Sequence, residues 1–253
     1  MSVLRHRDVD LHYDRSGSGP PLVLVHCILG SGDYWEPHRP AFDQRWETIA
    51  YDCRGHGRST KPDVPYTMDD HVGDLEALIE GLELDRPALL GYSLGAYIVT
   101  GLIVRRPELA SRAILASGKV AGRRASSAAH IGLDGIRHGG DAMDQVSHLV
   151  FAGEPDPVHT AFLRLMARGM SAREVELAIG SAGGFDVREQ LPAADLPVLV
   201  LHGADDVLNP VLAAEELARG LPDARLQVFA DCGHELPFEQ PAQFRHAVEA
   251  FLG

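Results

Sequence analysis

Ser93 stands in the sequence Gly91-Tyr92-Ser93-Leu94-Gly95, which has the pattern G-x-S-x-G. The apolar run over 88–92 predicts a buried strand, and the residues after it, to about position 106, predict a helix. A serine at a tight turn between a strand and a helix exposes its hydroxyl group at the sheet edge, because small residues on either side let the backbones approach. The alternative is a serine that only caps a helix. The context of strand, turn and helix favours a nucleophile.

A serine hydroxyl needs a base that removes its proton, and the base needs an acid that orients it. Two later loops supply both groups. A predicted strand over 197–202 is followed by Asp205 and Asp206, and a predicted strand over 225–229 is followed by His234. Both loops can reach the edge where Ser93 lies. The sequence therefore predicts a catalytic triad of Ser93, His234 and an aspartate, and spacing alone leaves both aspartates as candidates.

Thirteen histidines are present, so a single histidine is weak evidence of catalysis. Only His234 both follows the last predicted strand and shares a plausible edge with Ser93 and an acid. Three histidines at strand ends or in tight loops are interpreted as partners of backbone groups: His26, His56 and His202. Five more are interpreted as residues of the surface or of an inserted segment: His71, His130, His138, His148 and His159.

Strands and helices alternate along most of the chain, after a short predicted hairpin over 2–14. The predicted strands are apolar, as expected for strands that are covered on both faces. This pattern predicts an α/β fold with a mostly parallel sheet and helices on both faces. The alternation stops between about 118 and 190, where helical segments over 162–168 and 172–179 are predicted. We expect one domain, with a core of residues 1–117 and 191–253 and an inserted helical lid of residues 118–190.

Five motifs resemble those of the α/β-hydrolase superfamily, and the resemblance covers nearly the whole chain except the lid. They are LVLVHCILGSG over 22–32, YDCRGHGRS over 51–59, GYSLG over 91–95, HGADD over 202–206 and GHELPFEQP over 233–241. The resemblance implies the α/β-hydrolase fold. It also implies that the acid lies three residues after Gly203, at Asp206, so that Asp205 is a loop residue.

The resemblance further implies an oxyanion hole, formed by the backbone N–H groups of Leu94 and Ile28. It implies a structural role for the turn over 51–59, in which Asp52 and Arg54 brace nearby loops.

One position departs from the family's pattern, because Cys27 follows His26 where the family usually has glycine. One interpretation is a tolerated substitution that keeps the next N–H group in place. A second is a strained or shifted loop with an altered oxyanion hole, since glycine adopts conformations that L-residues avoid. A third is a reactive thiol, with Cys232 nearby. Cys27 and Tyr92 are also candidates for the substrate pocket.

These residues together predict a serine hydrolase that cleaves a small or medium carboxylic ester, lactone or thioester. The resemblance is to small esterases and enol-lactonases, and serine at position 93 excludes the dehalogenase and epoxide-hydrolase branches, which place aspartate there. Two alternatives stay open. One is a non-hydrolytic enzyme on the same fold, such as a hydroxynitrile lyase, a perhydrolase, or an isomerase or cyclase that tailors natural products. The other is a ligand receptor with slow turnover.

Composition narrows the classes of partner. The formal charge is −13 and no large cluster of lysine and arginine is present, which argues against nucleic-acid binding. The N-terminus does not resemble a signal peptide, no apolar run is long enough to span a membrane, and the three cysteines are far apart. We therefore expect a cytoplasmic protein with free thiols. No dinucleotide, phosphate-loop or metal-ligand spacing is seen, so no cofactor and no metal are expected.

Overall fold

The computed structural model describes residues 2–121, 147–167 and 170–253. Its eight strands are β1 (Ser2–His6), β2 (Val9–Gly17), β3 (Pro21–Val25), β4 (Glu47–Tyr51), β5 (Ala88–Tyr92), β6 (Arg112–Ala116), β7 (Val198–Gly203) and β8 (Ala224–Phe229). The α-helices are α1 (Arg39–Phe42), α2 (Met68–Gly81), α3 (Leu94–Arg105), α4 (Pro157–Ala167), α5 (Ala172–Ser181), α6 (Val211–Gly220), α7 (Leu236–Glu239) and α8 (Pro241–Leu252). Short 3-10 helices cover Gly32–Trp35, Pro107–Leu109 and Leu191–Ala193.

The strands form one sheet in the order β1-β2-β4-β3-β5-β6-β7-β8. The pairs β1–β2 and β2–β4 are antiparallel, and the other neighbours are parallel. Strand β8 lies at the edge of the sheet, and Phe229 is its one buried residue. The predicted α/β fold with a mostly parallel sheet is confirmed, and so is the N-terminal hairpin.

Helices cover both faces of the sheet, as the sequence predicts. Neighbouring residues of a strand point to opposite faces, and accordingly Leu89 and Leu90 of β5 belong to two different apolar clusters. The cluster around Leu89 includes residues of α2, α3 and α6. The cluster around Leu90 includes residues of α1 and α8. Because both faces are buried, the central strands read as continuous apolar runs.

The parallel strands bring four loops to one edge of the sheet. Ser93 follows β5, Asp206 lies three residues beyond β7, and His234 lies five residues beyond β8. The loop with Cys27 and Ile28 follows β3. Because β3, β5, β7 and β8 are parallel, their carboxyl ends meet at this edge, which is where α/β folds place their sites.

The range predicted as a lid is described only in part. Two helices, α4 and α5, lie within it, and a bridge pairs Ala121 with Asp186. Helix α4 begins five residues before the predicted segment over 162–168, and Arg168 lies outside the described residues. His130 and His138 also lie outside them. The bounds of the lid stay a prediction.

His71 differs from the interpretation as a residue of the surface or of the inserted segment, whereas His159 lies in the predicted lid range but is buried. His71 lies on α2 and is 1% exposed, with its Nε2 3.1 Å from the hydroxyl oxygen of Ser181 on α5. His159 lies on α4 within the lid range, and it is 6% exposed. The apolar periodicity of α2 misses His71, because a histidine with a polar partner can be buried among apolar residues.

The structure agrees with the interpretation of three histidines and of Asp52, whereas Arg54 pairs with a residue of helix α2 and not with a loop. His26, His56 and His202 each have a ring nitrogen within 3 Å of a backbone carbonyl oxygen, those of Cys27, Arg54 and Asn209 respectively. Asp52 accepts hydrogen bonds from the N–H groups of Gly32 and Arg58. Arg54 donates two hydrogen bonds of 2.6 Å to Asp74 on α2. Among the described residues, no helix has the length and apolar character that a membrane span requires.

His38 is a buried histidine without a hydrogen-bond partner. It is fully buried, and neither ring nitrogen has a partner among the described residues. Four aromatic rings lie 5.3–6.2 Å from it, those of Trp35, Phe42, Phe238 and Phe244. Burial is the main cause that lowers its pKa to about 3. The unfolded chain takes up a proton near the ordinary value of 6.5, so the free energy of unfolding falls as the pH falls from there toward 3.

We expect His38→Phe to stabilise the protein by about 1–2 kcal/mol at pH 7, because it removes two unpaired polar atoms. The gain should grow by about 1.4 kcal/mol for each pH unit below 6.5, since the variant has no proton to take up there. Urea unfolding at pH 7 and pH 5 measures both effects. The exposed His246, replaced by phenylalanine, is the control. A variant that is less stable than wild type at both pH values would contradict the prediction.

Candidate active site

Ser93 occupies a strained turn between β5 and α3. Its φ is 52° and its ψ is −112°, a backbone conformation that residues other than glycine rarely adopt. Its N–H donates to the carbonyl oxygen of Ala116 on the neighbouring strand β6. The side chain stands at the N-terminus of α3, and 7% of the residue is exposed. The predicted strand-to-helix turn is therefore present, and it holds the hydroxyl group at the sheet edge.

Gly95 allows helix α3 to pack against strand β3. A Cβ atom at this position would lie 2.1 Å from the carbonyl oxygen of Val25. The flanking Gly91 is equally confined, since a Cβ atom there would lie 2.3 Å from the carbonyl oxygen of Gly95. The two glycines of the motif thus let three backbone segments meet at the Ser93 turn.

The structure brings Ser93, His234 and Asp206 together in one hydrogen-bonded row. The Nε2 atom of His234 is 2.9 Å from Ser93 Oγ, and its Nδ1 atom is 2.7 Å from Asp206 Oδ2. With the proton on Nδ1, the ring donates to the carboxylate and accepts from the hydroxyl group. All three residues are buried. The alternative acid, Asp205, is exposed, and its N–H donates to the carbonyl oxygen of Cys232.

The carboxylate and the imidazole stabilise each other's charged forms. Burial acts to raise the pKa of Asp206, but His234 and the backbone N–H of Asn209 outweigh burial, so the pKa lies below its usual range. Burial acts to lower the pKa of His234. The charge and hydrogen bond of Asp206 outweigh burial, and the charge of Glu235 adds to them, so that this pKa lies above the ordinary 6.5. A basic imidazole next to a serine is suited to take its proton.

Asn209 and Ser117 hold the acid and the histidine in place, and the sequence analysis did not single out either. The N–H groups of Leu208 and Asn209 donate to Asp206 Oδ1 at 2.9 and 2.8 Å. The Asn209 side chain donates to Tyr97 and to the carbonyl oxygen of Ser117. The Ser117 hydroxyl group donates to the carbonyl oxygen of His234. Neither residue belongs to a motif that the sequence displays, and a position just after a strand is the only signal.

Two backbone N–H groups near Ser93 have no acceptor among the described residues, those of Ile28 and Leu94. Leu94 is the first residue of α3, so its N–H has no partner within the helix. Ile28 lies in the loop after β3, next to Leu29, whose φ is 61°. Both groups belong to loops at the edge where Ser93 stands. An oxyanion hole needs unused N–H donors of this kind.

Cys27 shows no backbone strain of the kind that the second interpretation expects at this residue. Among the described residues, Cys27 is absent from those with positive φ, and Leu29 has the left-handed conformation in this loop. The Cys27 thiol is also unsuited to act as a nucleophile. Burial, followed by the charge of Glu235, raises its pKa well above the ordinary 9.0. The pKa of Cys232 rises to about 12, mainly through burial. These observations favour the tolerated substitution.

Tyr92 packs against the ring of His234 and does not line either of two surface grooves found among the described residues. The residue is fully buried. Its ring lies 5.5 Å from the His234 ring and stacks on Tyr34 at 5.0 Å. The role of Tyr92 in the substrate pocket stays a prediction. Cys27, 6% exposed, packs in the same cluster as both tyrosines.

A separate surface groove of about 650 Å³ lies between α2, α3 and the segment over 183–187. Met68, Val72 and Phe185 are among the residues that line it. None of Ser93, Asp206 and His234 does. The groove therefore takes no part in the arrangement around Ser93.

We expect Gly95→Ala to destabilise the protein by at least about 2 kcal/mol, because the new methyl group meets the backbone of β3. The matched control is Gly180→Ala. It is also a helical glycine, it is exposed, and a Cβ atom there meets nothing within 4 Å. The control should be stabilised by about 0.5–1 kcal/mol through helix propensity. Urea unfolding of the two variants measures the difference, and equal effects would contradict the close approach at Gly95.

Comparisons with known proteins agree with this architecture. Residues 22–247 match the profile of the Alpha/beta hydrolase family. The 3-oxoadipate enol-lactonase 2 of Acinetobacter baylyi is 30% identical, and the match covers 99% of this chain and 96% of that protein.

Two solved structures have the same fold. A hydrolase from Pseudomonas aeruginosa is 26% identical with a TM-score of 0.88, and the match covers 100% of this chain and 98% of that chain. An enol-lactonase from Burkholderia xenovorans is 24% identical with a TM-score of 0.91, and 99% of each chain is covered. Family profile, sequence relative and fold lead to one conclusion: this chain belongs to the α/β-hydrolase family.

Proposed function

We propose that this protein is a serine hydrolase that cleaves a small or medium carboxylic ester, lactone or thioester. Ser93 is the nucleophile, His234 the general base and acid, and Asp206 the residue that orients His234. The observation that carries the proposal is the row of hydrogen bonds from Ser93 Oγ through His234 to Asp206, of 2.9 and 2.7 Å. Membership of the α/β-hydrolase family supports hydrolase activity.

In the first step, His234 takes the proton of Ser93 as the hydroxyl oxygen attacks the carbonyl carbon of the substrate. Asp206 keeps the proton of the imidazole on Nδ1, so that Nε2 is free to accept. It also stabilises the imidazolium that forms, which is consistent with the raised pKa of His234. The carbonyl oxygen becomes an oxyanion, and the N–H groups of Ile28 and Leu94 are the donors proposed to hold it.

In the second step, the imidazolium gives its proton to the leaving alcohol or thiol, and an acyl ester on Ser93 remains. His234 then takes a proton from water, and the hydroxide attacks the acyl carbon. Collapse of this second tetrahedral intermediate returns the proton to Ser93 and releases the acid. Hydrolysis of a lactone releases one product, because its alcohol and acid are parts of the same molecule.

The substrate class rests on the relatives and on the enclosure of the site. The Acinetobacter baylyi relative is named as an enol-lactonase, and it matches almost the full length of this chain. Ser93 is 7% exposed and His234 is 5% exposed, which favours a substrate small enough to be enclosed. The alternative of a non-hydrolytic enzyme rests on the fold, which also hosts other chemistry. Cys27 favoured this alternative slightly, and it is not among the described residues with positive φ.

We expect Ser93→Ala to lower turnover of p-nitrophenyl acetate, p-nitrophenyl butyrate and a panel of lactones by at least about 10⁴-fold, because no other nucleophile replaces the hydroxyl group. Ser18→Ala, in an exposed turn, is the control and should keep the wild-type rate. Time-resolved release of p-nitrophenol and lactone ring opening measure both.

Turnover that survives in folded Ser93→Ala would contradict the proposed nucleophile. A folded wild-type protein that hydrolyses none of these substrates would favour a non-hydrolytic enzyme. A lasting acyl adduct with no turnover would favour the slow receptor.

The pH dependence of kcat/KM should report the raised pKa of His234 in the free enzyme. Only the neutral imidazole accepts a proton, so activity is lost as the pH falls through a value above 6.5. Asp206→Asn removes the main group that raises this pKa. We expect that variant to shift the acid limb to lower pH and to lower kcat by about 10²–10⁴-fold. Initial rates from pH 5 to pH 9 test this, and an unshifted limb would contradict the role of Asp206.

A further inference from the structure

The residue after His234 is a buried glutamate. Glu235 is 4% exposed, and two side chains from distant parts of the chain lie against its carboxylate. The hydroxyl group of Tyr34 donates to Glu235 Oε2 at 3.0 Å, and His159 Nε2 lies 3.3 Å from the same oxygen. Buried glutamates are uncommon unless they are paired. The proposed hydrolytic mechanism does not use this residue.

Two stacked tyrosine rings, those of Tyr34 and Tyr92, form an aromatic wall that fixes the position of the glutamate relative to the histidine. Tyr34, which donates to Glu235, stacks on Tyr92 with ring centres 5.0 Å apart. Tyr92 in turn lies 5.5 Å from the His234 ring. Both tyrosines are fully buried, so their positions are fixed by packing. The wall therefore keeps the carboxylate on one side of His234 and out of water.

The loop that contains His234 and Glu235 is hydrogen-bonded to the segment predicted as a lid. The N–H of Glu235 donates to the carbonyl oxygen of Val150, and Glu239 accepts from the N–H groups of Ala152 and Gly233. His159 of α4 lies on the Phe238 ring, with 3.7 Å between ring centres. The side chain of Glu235 thus contacts the lid helix, and its backbone contacts the segment that precedes that helix.

We propose that Glu235 is a positioning residue for the proposed hydrolase reaction: it places a second carboxylate beside His234 and fastens helix α4 to the His234 loop through His159. This inference rests on the proposed function of His234. A second negative charge in a buried place favours the imidazolium that forms when Ser93 attacks, and water and salt screen it little. The attachment of helix α4 to the His234 loop and the strength of the base then depend on one side chain.

The charge of Glu235 acts among other groups that face His234. Among the described residues these are His202 on β7, Asp206 after β7, Lys119 after β6, Tyr92 on β5 and Glu239 on α7. Asp206 has the largest effect that raises the pKa of His234, Glu235 adds to it, and Lys119 opposes it. Tyr34, Tyr92, Cys27 and His159 face Glu235 itself.

Two substitutions separate the charge of Glu235 from its shape. Glu235→Gln keeps the shape and loses the charge, and Glu235→Asp keeps the charge and shortens the side chain. We expect Glu235→Gln to move the acid limb of kcat/KM, and the titration of His234 followed by NMR of ¹⁵N-labelled histidine, to lower pH by about half a unit or more. Glu235→Asp should stay within about 0.2 units of wild type.

The exposed Glu216→Gln is the matched control, because it changes the net charge of the protein equally. It should leave the titration of His234 unchanged. The shift in Glu235→Gln should also persist in about 0.5 M NaCl, where the charges of exposed residues are screened.

A titration of His234 that is the same in Glu235→Gln and wild type would overturn the positioning role. Equal shifts in the Gln and Asp variants would also overturn it, since a change of shape would then explain both. The NMR titration needs no turnover, so it decides the role of Glu235 separately from the Ser93→Ala test of the proposed function.

His159→Phe tests the link to the lid, because it keeps the ring on Phe238 and removes the nitrogen that faces Glu235. We expect backbone amides of α4 to exchange with deuterium at least about threefold faster in this variant, as local opening becomes easier. Unchanged exchange in α4 would overturn the part of the proposal that concerns the lid.

Discussion

The close packing around the Ser93 turn is the constraint on which the rest of the site depends. Helix α3 starts directly at the end of β5, and Gly91 and Gly95 leave no room for a side chain between this turn and strand β3. The turn holds Ser93 at a φ of 52°, a conformation that is unfavourable by about 1–3 kcal/mol in isolation. The surrounding sheet and helix bury enough apolar surface to maintain it. The same turn leaves the N–H of Leu94 without an acceptor in the part of the chain that the structure describes.

The second requirement is a carboxylate and an imidazole that are hydrogen-bonded to each other in a place that excludes water. Asp206 and His234 are both buried. The histidine lowers the pKa of the carboxyl group, which therefore stays ionised, and the carboxylate raises the pKa of the imidazole, which therefore stays basic. The backbone N–H groups of Leu208 and Asn209 donate to the other carboxylate oxygen of Asp206. Burial without these donors would neutralise the carboxylate. The proposed role of Glu235 extends the same principle to the other side of the histidine.

The sequence predicted the parallel sheet because strands buried on both faces, such as β5 and β7, read as continuous apolar runs. It also predicted which loops meet, since parallel strands end at one edge. It failed where contacts depend on three-dimensional packing. His71 was expected at the surface or in the inserted segment, and it is buried on α2. The partners of Glu235 are Tyr34 and His159. Both are so far from Glu235 in the sequence that no local pattern reveals these contacts.

The central claim is that Ser93 forms a covalent acyl intermediate with the help of His234. The most direct measurement is mass spectrometry of the protein after rapid mixing with a slowly deacylating ester, followed by peptide mapping. The account predicts one acyl group per chain, on the peptide that contains Ser93, and loss of this adduct in a folded His234→Ala variant. An adduct on Cys27, or turnover of the ester with no adduct on Ser93 at any time, would contradict it.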